Sequence, residues 1–529
     1  MHQLSSIIHI QRVSAHAVTS HTPISANRSR VVLQVIRRTA LLSSFLTLLL
    51  FPVAAQNVSD ALRFSFFEYG GTARFIGTGG AMSAMGADVS NASTNPAGIA
   101  WFQRSEYTIT PAVLSGRTSS RLLDAADGPL SDALRTSFNM QNLGMVIVSK
   151  PQAGKWKSAN FAIAFNHLAN YNQKFAFDGV SLGSLTQRYR EIANSSVGLN
   201  DYETGLAADA SAIYDLDEDG VYEVDYEIPE KAPLLYKNQN GFTKGSMTEF
   251  SFTLGANYDD KILVGFSVGI PFLAFTSDKT YAESDDKAIP NGGAVPYFSS
   301  LSLHERVSTI GGGANAKLGI IVRPNQNIRI GASIHTPTVM ALTDSYETSL
   351  EYNYFEDAKE VGRSIQGSAT GPGNFEYGLR TPWRIQGGLG LMLSTYGFIS
   401  ADLEYVDYSK SNFRYTGYVD AQDAVNSDIQ GQLSDVMNVR IGGELALDIL
   451  RLRAGINRLP SPFLNDDSSR FVVSGGLGVR LRTFYLDLSY RQMSQEERYY
   501  PYLTDEAPIQ EVLQRRKTGT AAATLGFKF

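Results

Sequence analysis

Glu249-Phe250-Ser251-Phe252-Thr253-Leu254-Gly255-Ala256-Asn257-Tyr258 is followed, after Asp259-Asp260-Lys261, by Ile262-Leu263-Val264-Gly265-Phe266-Ser267-Val268-Gly269-Ile270. This stretch decides the fold. In the first run Phe250, Phe252, Leu254, Ala256 and Tyr258 alternate with Glu249, Ser251, Thr253, Gly255 and Asn257. In the second, Ile262, Val264, Phe266, Val268, Ile270 and Phe272 alternate with Leu263, Gly265, Ser267 and Gly269. Successive side chains on a strand point to opposite faces, so each run has one greasy face and one polar or very small one. The pattern recurs at 473–481, where Val473, Leu477, Val479 and Leu481 oppose Ser474, Gly476, Gly478 and Arg480. It recurs again at 484–491, where Phe484, Leu486, Leu488 and Tyr490 oppose Tyr485, Asp487, Ser489 and Arg491.

A soluble sandwich would alternate in the same way. Two features favour a membrane barrel. The strands run to about ten residues or more, the length a tilted strand needs to cross the hydrocarbon layer. Their connections also alternate between very short and long, as periplasmic turns and extracellular loops do. Strands are expected near 105–118, 142–150, 158–177, 246–258, 261–276, 298–322, 327–350, 379–394, 397–416, 437–447, 450–460, 468–481, 483–497 and 517–529. That count is even, which places both ends of the barrel in the periplasm. Short turns at 151–157, 258–261, 323–326, 394–397, 447–449 and Arg482 then fall on one side. The long connections, with 178–245 the longest, fall on the other.

Composition agrees. The 529 residues include 47 Gly, aromatics make up 11%, and mean hydropathy is −0.13. No stretch after residue 60 is apolar for long enough to be a transmembrane helix. A net charge of −6 gives no reason to expect nucleic acid as a partner. With no cysteine, the chain carries neither disulfides nor thiolate chemistry, and the fold must close without them.

The N-terminus reads as a secretion signal. Arg37 and Arg38 supply the positive region, Ala40–Phe51 the apolar run, and Val53-Ala54-Ala55 the small-residue cleavage site. Residues 1–55 are thus an upstream extension plus signal peptide, and the mature chain begins near Gln56. Residues 1–36 are unusual upstream of such a signal, and a start at Val31, Val32 or Val35 would need a non-standard codon. At the other end, Ala521, Ala523, Leu525, Phe527 and Phe529 form one face of the closing strand. A terminal Phe on such a stripe is the usual signal for the barrel-assembly machinery.

Residues 56–104 do not alternate. They read Tyr69-Gly70-Gly71-Thr72-Ala73-Arg74, Gly77-Thr78-Gly79-Gly80-Ala81-Met82, Gly86-Ala87-Asp88-Val89-Ser90 and Asn95-Pro96-Ala97-Gly98. Small residues at this density suit a compact segment packed inside something narrow, because they let backbones approach closely. Gly77-x-Gly79 is not a dinucleotide loop, since Met82 stands where the third Gly belongs and no strand precedes it.

In this order the segment resembles the N-terminal hatch and Asn-Pro-Ala signature of the FadL/TodX-type outer-membrane transport family. Further stretches continue the resemblance from about 62 to 529: Gly269-Ile270-Pro271, Arg329–Pro337, Asp402–Tyr408 and Leu452–Asn457. The resemblance implies a fourteen-stranded antiparallel outer-membrane β-barrel over 105–529, plugged by a hatch at 56–104, and agrees with the independent strand count. It also implies uptake of hydrophobic small molecules such as long-chain fatty acids or aromatic hydrocarbons, by a monomer among outer-membrane lipids. In the family a ligand is captured outside, enters an apolar pocket and leaves sideways when the hatch rearranges.

Under that reading Phe64, Phe66, Phe67 and Tyr69 are the ligand-contact candidates, with plain hatch packing as the alternative. Asn166-His167-Leu168-Ala169-Asn170 interrupts the alternation of the third strand. Asn166, His167 and Asn170 are therefore the candidate gating kink, and a simple bulge is the alternative. Asp215-Leu216-Asp217-Glu218-Asp219-Gly220 resembles a calcium loop, although Tyr226 stands where the twelfth-position acid belongs. An ordinary acidic loop is the alternative; no other cofactor is expected. Arg384, Arg440, Glu444, Glu404, Asp402 and Arg453 are expected to pair across the lumen. His167, His304 and His335 have no recognisable catalytic partners, so no enzymatic role is expected. A structural or adhesive barrel is the main alternative, and a plug argues against it and against a diffusion porin.

Overall fold

The computed structural model describes residues 57–529 apart from 124–127, 153, 228–232, 289–291, 357–358 and 367–372. The expected signal region 1–55 and Gln56 lie outside the described residues.

All strands belong to one antiparallel sheet that closes on itself. They are β1 (Glu106–Leu122), β2 (Ser131–Ser149), β3 (Trp156–Asn170), β4 (Gln173–Ser181), β5 (Leu235–Tyr258), β6 (Ile262–Ser284), β7 (Phe298–Val322), β8 (Ile328–His335), β9 (Val339–Glu356), β10 (Lys359–Gln366), β11 (Gly373–Arg380), β12 (Arg384–Met392), β13 (Gly397–Asp407), β14 (Asn412–Tyr415), β15 (Asp435–Leu447), β16 (Leu450–Pro460), β17 (Ser469–Arg480), β18 (Phe484–Tyr499) and β19 (Val512–Lys528). Closure comes from β1 and β19, paired from Glu106↔Lys528 to Leu122↔Val512. Several of these are halves of one crossing strand, and the barrel has 14 crossings. The short turns lie at one end, as the alternation requires.

Four expected strands are broken. The run 158–177 divides into β3 and β4, 327–350 into β8 and β9, 379–394 into β11 and β12, and 397–416 into β13 and β14. Pro337 and Pro382 lie in two of the gaps, where a missing N–H removes a ladder bond. The expected loop 178–245 is also too long: β4 runs to Ser181 and β5 begins at Leu235. The connection at 119–141 shrinks likewise, because β1 and β2 extend into it. The upper strands continue past the bilayer, and periodicity carried by polar residues there is harder to see. β7, at 25 residues, is more than twice a membrane crossing.

The outer face is the apolar one. Leu254, Leu477 and Phe138 are 59%, 59% and 69% exposed, whereas inward Leu263, Ser251 and Thr253 are buried. Hydrocarbon outside offsets what water would penalise, so this is a membrane-spanning barrel of the outer-membrane type. Aromatics ring its short-turn end: Tyr107 stacks on Phe529, and Trp156 meets Tyr258 edge to face.

The two largest of the interior's apolar clusters fill its upper and middle parts. The upper one gathers Leu122, Phe177, Tyr281, Tyr352 and Val512 from the strands around helices α3 (Leu185–Ala193) and α4 (Thr204–Asp209) of the long loop. The middle one surrounds helix α1 (Val58–Ser65), which buries Val58, Ala61, Leu62 and Phe64. Helix α5 (Val419–Gln432) adds Val425 and Ile429 to it.

Candidate functional site

Residues 57–104 lie within the lumen and are buried almost throughout. Their local structure follows from short caps. Asn57 caps α1 by accepting from the Asp60 N–H (3.0 Å), and Thr72 caps the short helix α2 (Ala73–Gly77) by accepting from Phe75 N–H (3.1 Å). Asp88 accepts from Ser90 N–H (3.0 Å) and from the Thr72 hydroxyl (2.7 Å), which folds the segment back on itself.

The Asn95-Pro96-Ala97-Gly98 motif is a bolt between segment and wall. Asn95 Oδ1 caps the 3-10 turn Pro96–Trp101 by accepting from Ala97 N–H (3.1 Å). Its Nδ2 donates to Ser83 O (2.6 Å) inside the segment and to Ile320 O (3.3 Å) on β7. Pro96 opens that turn, where its missing N–H costs nothing. Gly98 accepts from Ala87 N–H (3.0 Å), and a Cβ on it would press into the Asn91 side chain.

The wall makes room with glycine. A Cβ added at Gly265 would collide with Pro96, at Gly331 with Ser83, and at Gly442 with Thr78. Gly255, Gly265 and Gly319 are direct cross-strand partners, so β5, β6 and β7 present a flat floor to the Asn95–Ala100 turn. The polar-or-tiny face of the opening stretch is therefore the seat of the segment.

Ion pairs lie between these seats. Arg74 Nε donates to Glu444 (3.1 Å) and its NH1 to Ala87 O (2.8 Å). Arg453 joins Glu444 (2.7 Å) to Asp487 (2.8 Å), which also takes Arg480 (2.9 Å). Glu404 is held between Arg384 (2.8 Å) and Arg440. Asp402 has no ion pair; it accepts from Ser83 N–H (2.9 Å) and the Ser83 hydroxyl (2.7 Å). The expected lumen charges thus mate with neighbours along the wall and with the inserted segment.

The aromatic candidates divide. Phe64 packs edge-on to Tyr171 (6.1 Å) and Phe275 (5.8 Å), beside the break between β3 and β4. Phe66 stacks on Tyr408 (6.4 Å), in the break between β13 and β14, with Arg470 over its other face (4.3 Å). Phe67 lies under Arg384 (4.1 Å), and Tyr69 sits near Arg440 (5.6 Å). Burial pushes the Tyr69 phenol well above its ordinary range, so it stays a neutral hydroxyl. Phe67 and Tyr69 line a cavity of about 40 Å³ with Leu459, Val472, Met493 and Arg491. That is space for about one or two waters.

The proposed kink coincides with a parting of the wall. β2 and β3 pair only from Asn142↔Asn166 to Ser149↔Ala159. Above that level β4 pairs with β5 and not with β2, and it turns inward against β1. The chain bends just after Asn170, at Tyr171-Asn172, with a register shift between His167 and Ala169. The opening is lined by Arg135, Phe138, Asn139, Asn172, Phe275 and Ile310, with about 390 Å³ of space. Inserted-segment backbone takes the place of the lost partner: Glu68 N–H donates to Leu168 O and Gly70 N–H to His167 O, both at 2.7 Å. Asn166 accepts from Asn142 Nδ2 (2.7 Å) and donates to Ser93 Oγ (2.9 Å). Asn170 Oδ1 accepts from Asn172 Nδ2 (2.7 Å) across the bend.

Sequence reading missed Gln141, Tyr171 and Phe275, which complete this corner. The residues around it carried a usable signal, because Asn166-His167-Leu168-Ala169-Asn170, just before Tyr171-Asn172, breaks the alternation a strand should show. In the long loop the Asp215, Asp217 and Asp219 carboxylates lie within 4.8 Å of one another. Asp225 is already engaged by the Tyr214 (2.9 Å) and Tyr352 (2.7 Å) hydroxyls, and Glu227 by Arg190.

No family model and no curated protein matches the sequence. Solved structures do match. A Pseudomonas aeruginosa FadL homologue aligns over 88% of this chain and 100% of its own, with 13% identity and a TM-score of 0.52. The Pseudomonas putida toluene transporter TodX aligns over 87% and 99%, at 12% identity and a TM-score of 0.49. The Ralstonia pickettii toluene transporter TbuX aligns over 87% and 98%, at 14% identity and 0.46. With its inward glycines, its luminal N-terminal segment and its parted third strand, this chain has the fold of the FadL homologue.

Proposed function

We propose that the protein takes up hydrophobic small molecules, such as long-chain fatty acids or aromatic hydrocarbons, across the outer membrane. Residues 57–104 act as a hatch, and ligand leaves sideways between β2 and β4. The observation that carries this is the pair of hydrogen bonds from Glu68 and Gly70 to the end of β3, where the wall parts. Movement of the hatch must break them, so hatch and opening are mechanically one unit. The route also answers a physical need, because an apolar chain keeps out of water only if it passes from lumen to bilayer directly. Phe64, at that corner, and Phe67 and Tyr69, beside the small cavity, are the side chains a ligand would meet as the hatch moves.

The chain lacks cysteine, so a disulfide can be placed cleanly. A Cβ at Gly70 would stand 3.0 Å from the His167 Cβ and would press on the Gln141 amide. Gly70→Cys with His167→Cys, in a Gln141→Ala background, should close a bond between hatch and wall. Oxidised cells are expected to lose uptake of labelled oleate and toluene, and reductant to restore it. Unchanged uptake in the oxidised state would end the gating proposal. If the purified protein binds neither compound, the structural or adhesive alternative takes its place.

A further inference from the structure

We propose that the periplasmic floor of the barrel, beneath the hatch, is a phosphate-binding site. A cavity of about 500 Å³ opens there, between the lower ends of β1, β15–β19 and the hatch. Six cationic side chains line it: Arg74, Arg104, Arg451, Arg480, Arg482 and Lys528. Only two carboxylates, Glu106 and Glu444, line it with them.

Pairing sharpens the imbalance. Glu444 is shared by Arg74 and Arg453, with Arg451 at 4.0 Å, and Arg480 is taken by Asp487. Glu106 accepts from the Tyr485 hydroxyl (3.0 Å). Among the described residues Arg104, Arg482 and Lys528 have no carboxylate within ion-pair distance. Arg104 donates only to the Arg482 carbonyl, at 3.4 Å. The Tyr485 ring carries two cations at once, Arg480 at 4.0 Å and Lys528 at 5.5 Å.

Like charges gathered in one concavity repel, and low-dielectric walls concentrate the field between them. Arg104 and Arg482 stand exposed at its mouth, and the other four cations, half-buried, reach into it from the hatch and the strands. A phosphate group fits the arrangement because it offers several acceptor oxygens and up to two charges to guanidinium forks and a lysine. A single carboxylate would leave most of the cations unmatched. The site lies at the level of the inner-leaflet headgroups, so the phosphate could belong to a lipid or be free in the periplasm.

The test uses the full-length mature protein in octyl glucoside, which carries no charge, with isothermal titration by inorganic phosphate, short-chain phosphatidylglycerol and acetate. Binding of either phosphate compound, weakening about tenfold or more in Arg482→Gln/Lys528→Gln, is expected; which compound binds identifies the source. Affinity should also fall as salt rises. A gel shift on heating confirms that the double variant is folded, and Arg515→Gln/Lys517→Gln, on the outer face, serves as a charge-matched control. No phosphate binding, binding that survives the double variant, or acetate binding as tightly as phosphate would each overturn the proposal.

Discussion

Two arcs of this barrel's wall hold the same hatch in different ways. From β15 round to β19 the ladders run without interruption, and the hatch is gripped there by buried charge. From β8 round to β14 three neighbouring crossing strands break at one level, at 336–338, 381–383 and 408–411. Across that seam the ladder is replaced by a few bonds, among them Thr381 N–H to Thr338 O (3.0 Å) and Thr338 N–H to Thr381 Oγ1 (2.9 Å). Ser65, at the end of α1, faces the seam through Arg384 and Ser411. One arc is a continuous ladder, an anchor; the other is broken at the level of the helix it supports, where a hinge would lie.

The largest expected effect is on the anchored arc. Arg453 is fully buried between Glu444 and Asp487. Arg453→Leu leaves fully buried Asp487 with Arg480 alone and Glu444, at the edge of the floor cavity, with Arg74, which should cost up to about 3–5 kcal/mol. Guanidinium unfolding in detergent reads this directly. A loss below about 1 kcal/mol would mean that the lattice is not what anchors the hatch.

Next comes steric contact. Gly442→Val places methyl groups against the Thr78 backbone, which has no flexible end to move aside. Overpacking of this kind costs about 1–3 kcal/mol. It should appear as faster trypsin cleavage after Arg63 or Arg74 and as a rise in ion conductance, with the barrel itself intact. A hatch as resistant to protease as the parent would show that the seat at Gly442 is looser than its geometry.

How much of this was legible beforehand depends on what each feature looks like in the chain. Alternation marked the crossing strands, the short turns and the outer face, because hydrocarbon selects every second residue strictly. Thr336-Pro337-Thr338 and Thr381-Pro382-Trp383 sat inside long runs; each three-residue break moves the inward face from odd to even positions, yet the flank on either side alternates cleanly and reads as one strand. The hatch was visible through its own glycines, and Asn95 through its signature. The matching wall glycines were not, because Gly265 or Gly442 reads equally well as a small inward residue until its neighbour is known. Pairings such as Arg74 with Glu444, 370 residues apart, are set by register around a closed ring.

The seam predicts a smaller contrast. Pro337→Ala and Pro382→Ala return an N–H to each gap but meet no waiting ladder partner, so each should change stability by less than about 1 kcal/mol. Hydrogen exchange in nanodiscs should find amides 336–338 and 381–384 exchanging well before 439–445. Equal protection in both arcs would erase the distinction between anchor and hinge.

The smallest effect concerns the acidic loop, which lies outside both arcs. Asp215, Asp217 and Asp219 converge, and Asp215 already accepts from the backbone N–H groups of Asp219 (3.2 Å) and Gly220 (2.9 Å). The turn is therefore formed before any ion arrives, which favours binding. Against that, the twelfth-position acid is missing and both flanking acids are engaged, so affinity should fall below the millimolar range typical of extracellular calcium modules. With a Kd near about 10 mM, 10 mM calcium stabilises the loop by only about 0.4 kcal/mol. Barrel melting will not register so little. The readout is local: slower exchange of the Tyr214–Glu223 bridge with calcium, unchanged with magnesium, and lost in Asp217→Asn. If calcium leaves that bridge unchanged, the three carboxylates form an ordinary solvated turn, and the two arcs of the wall carry the function without a metal.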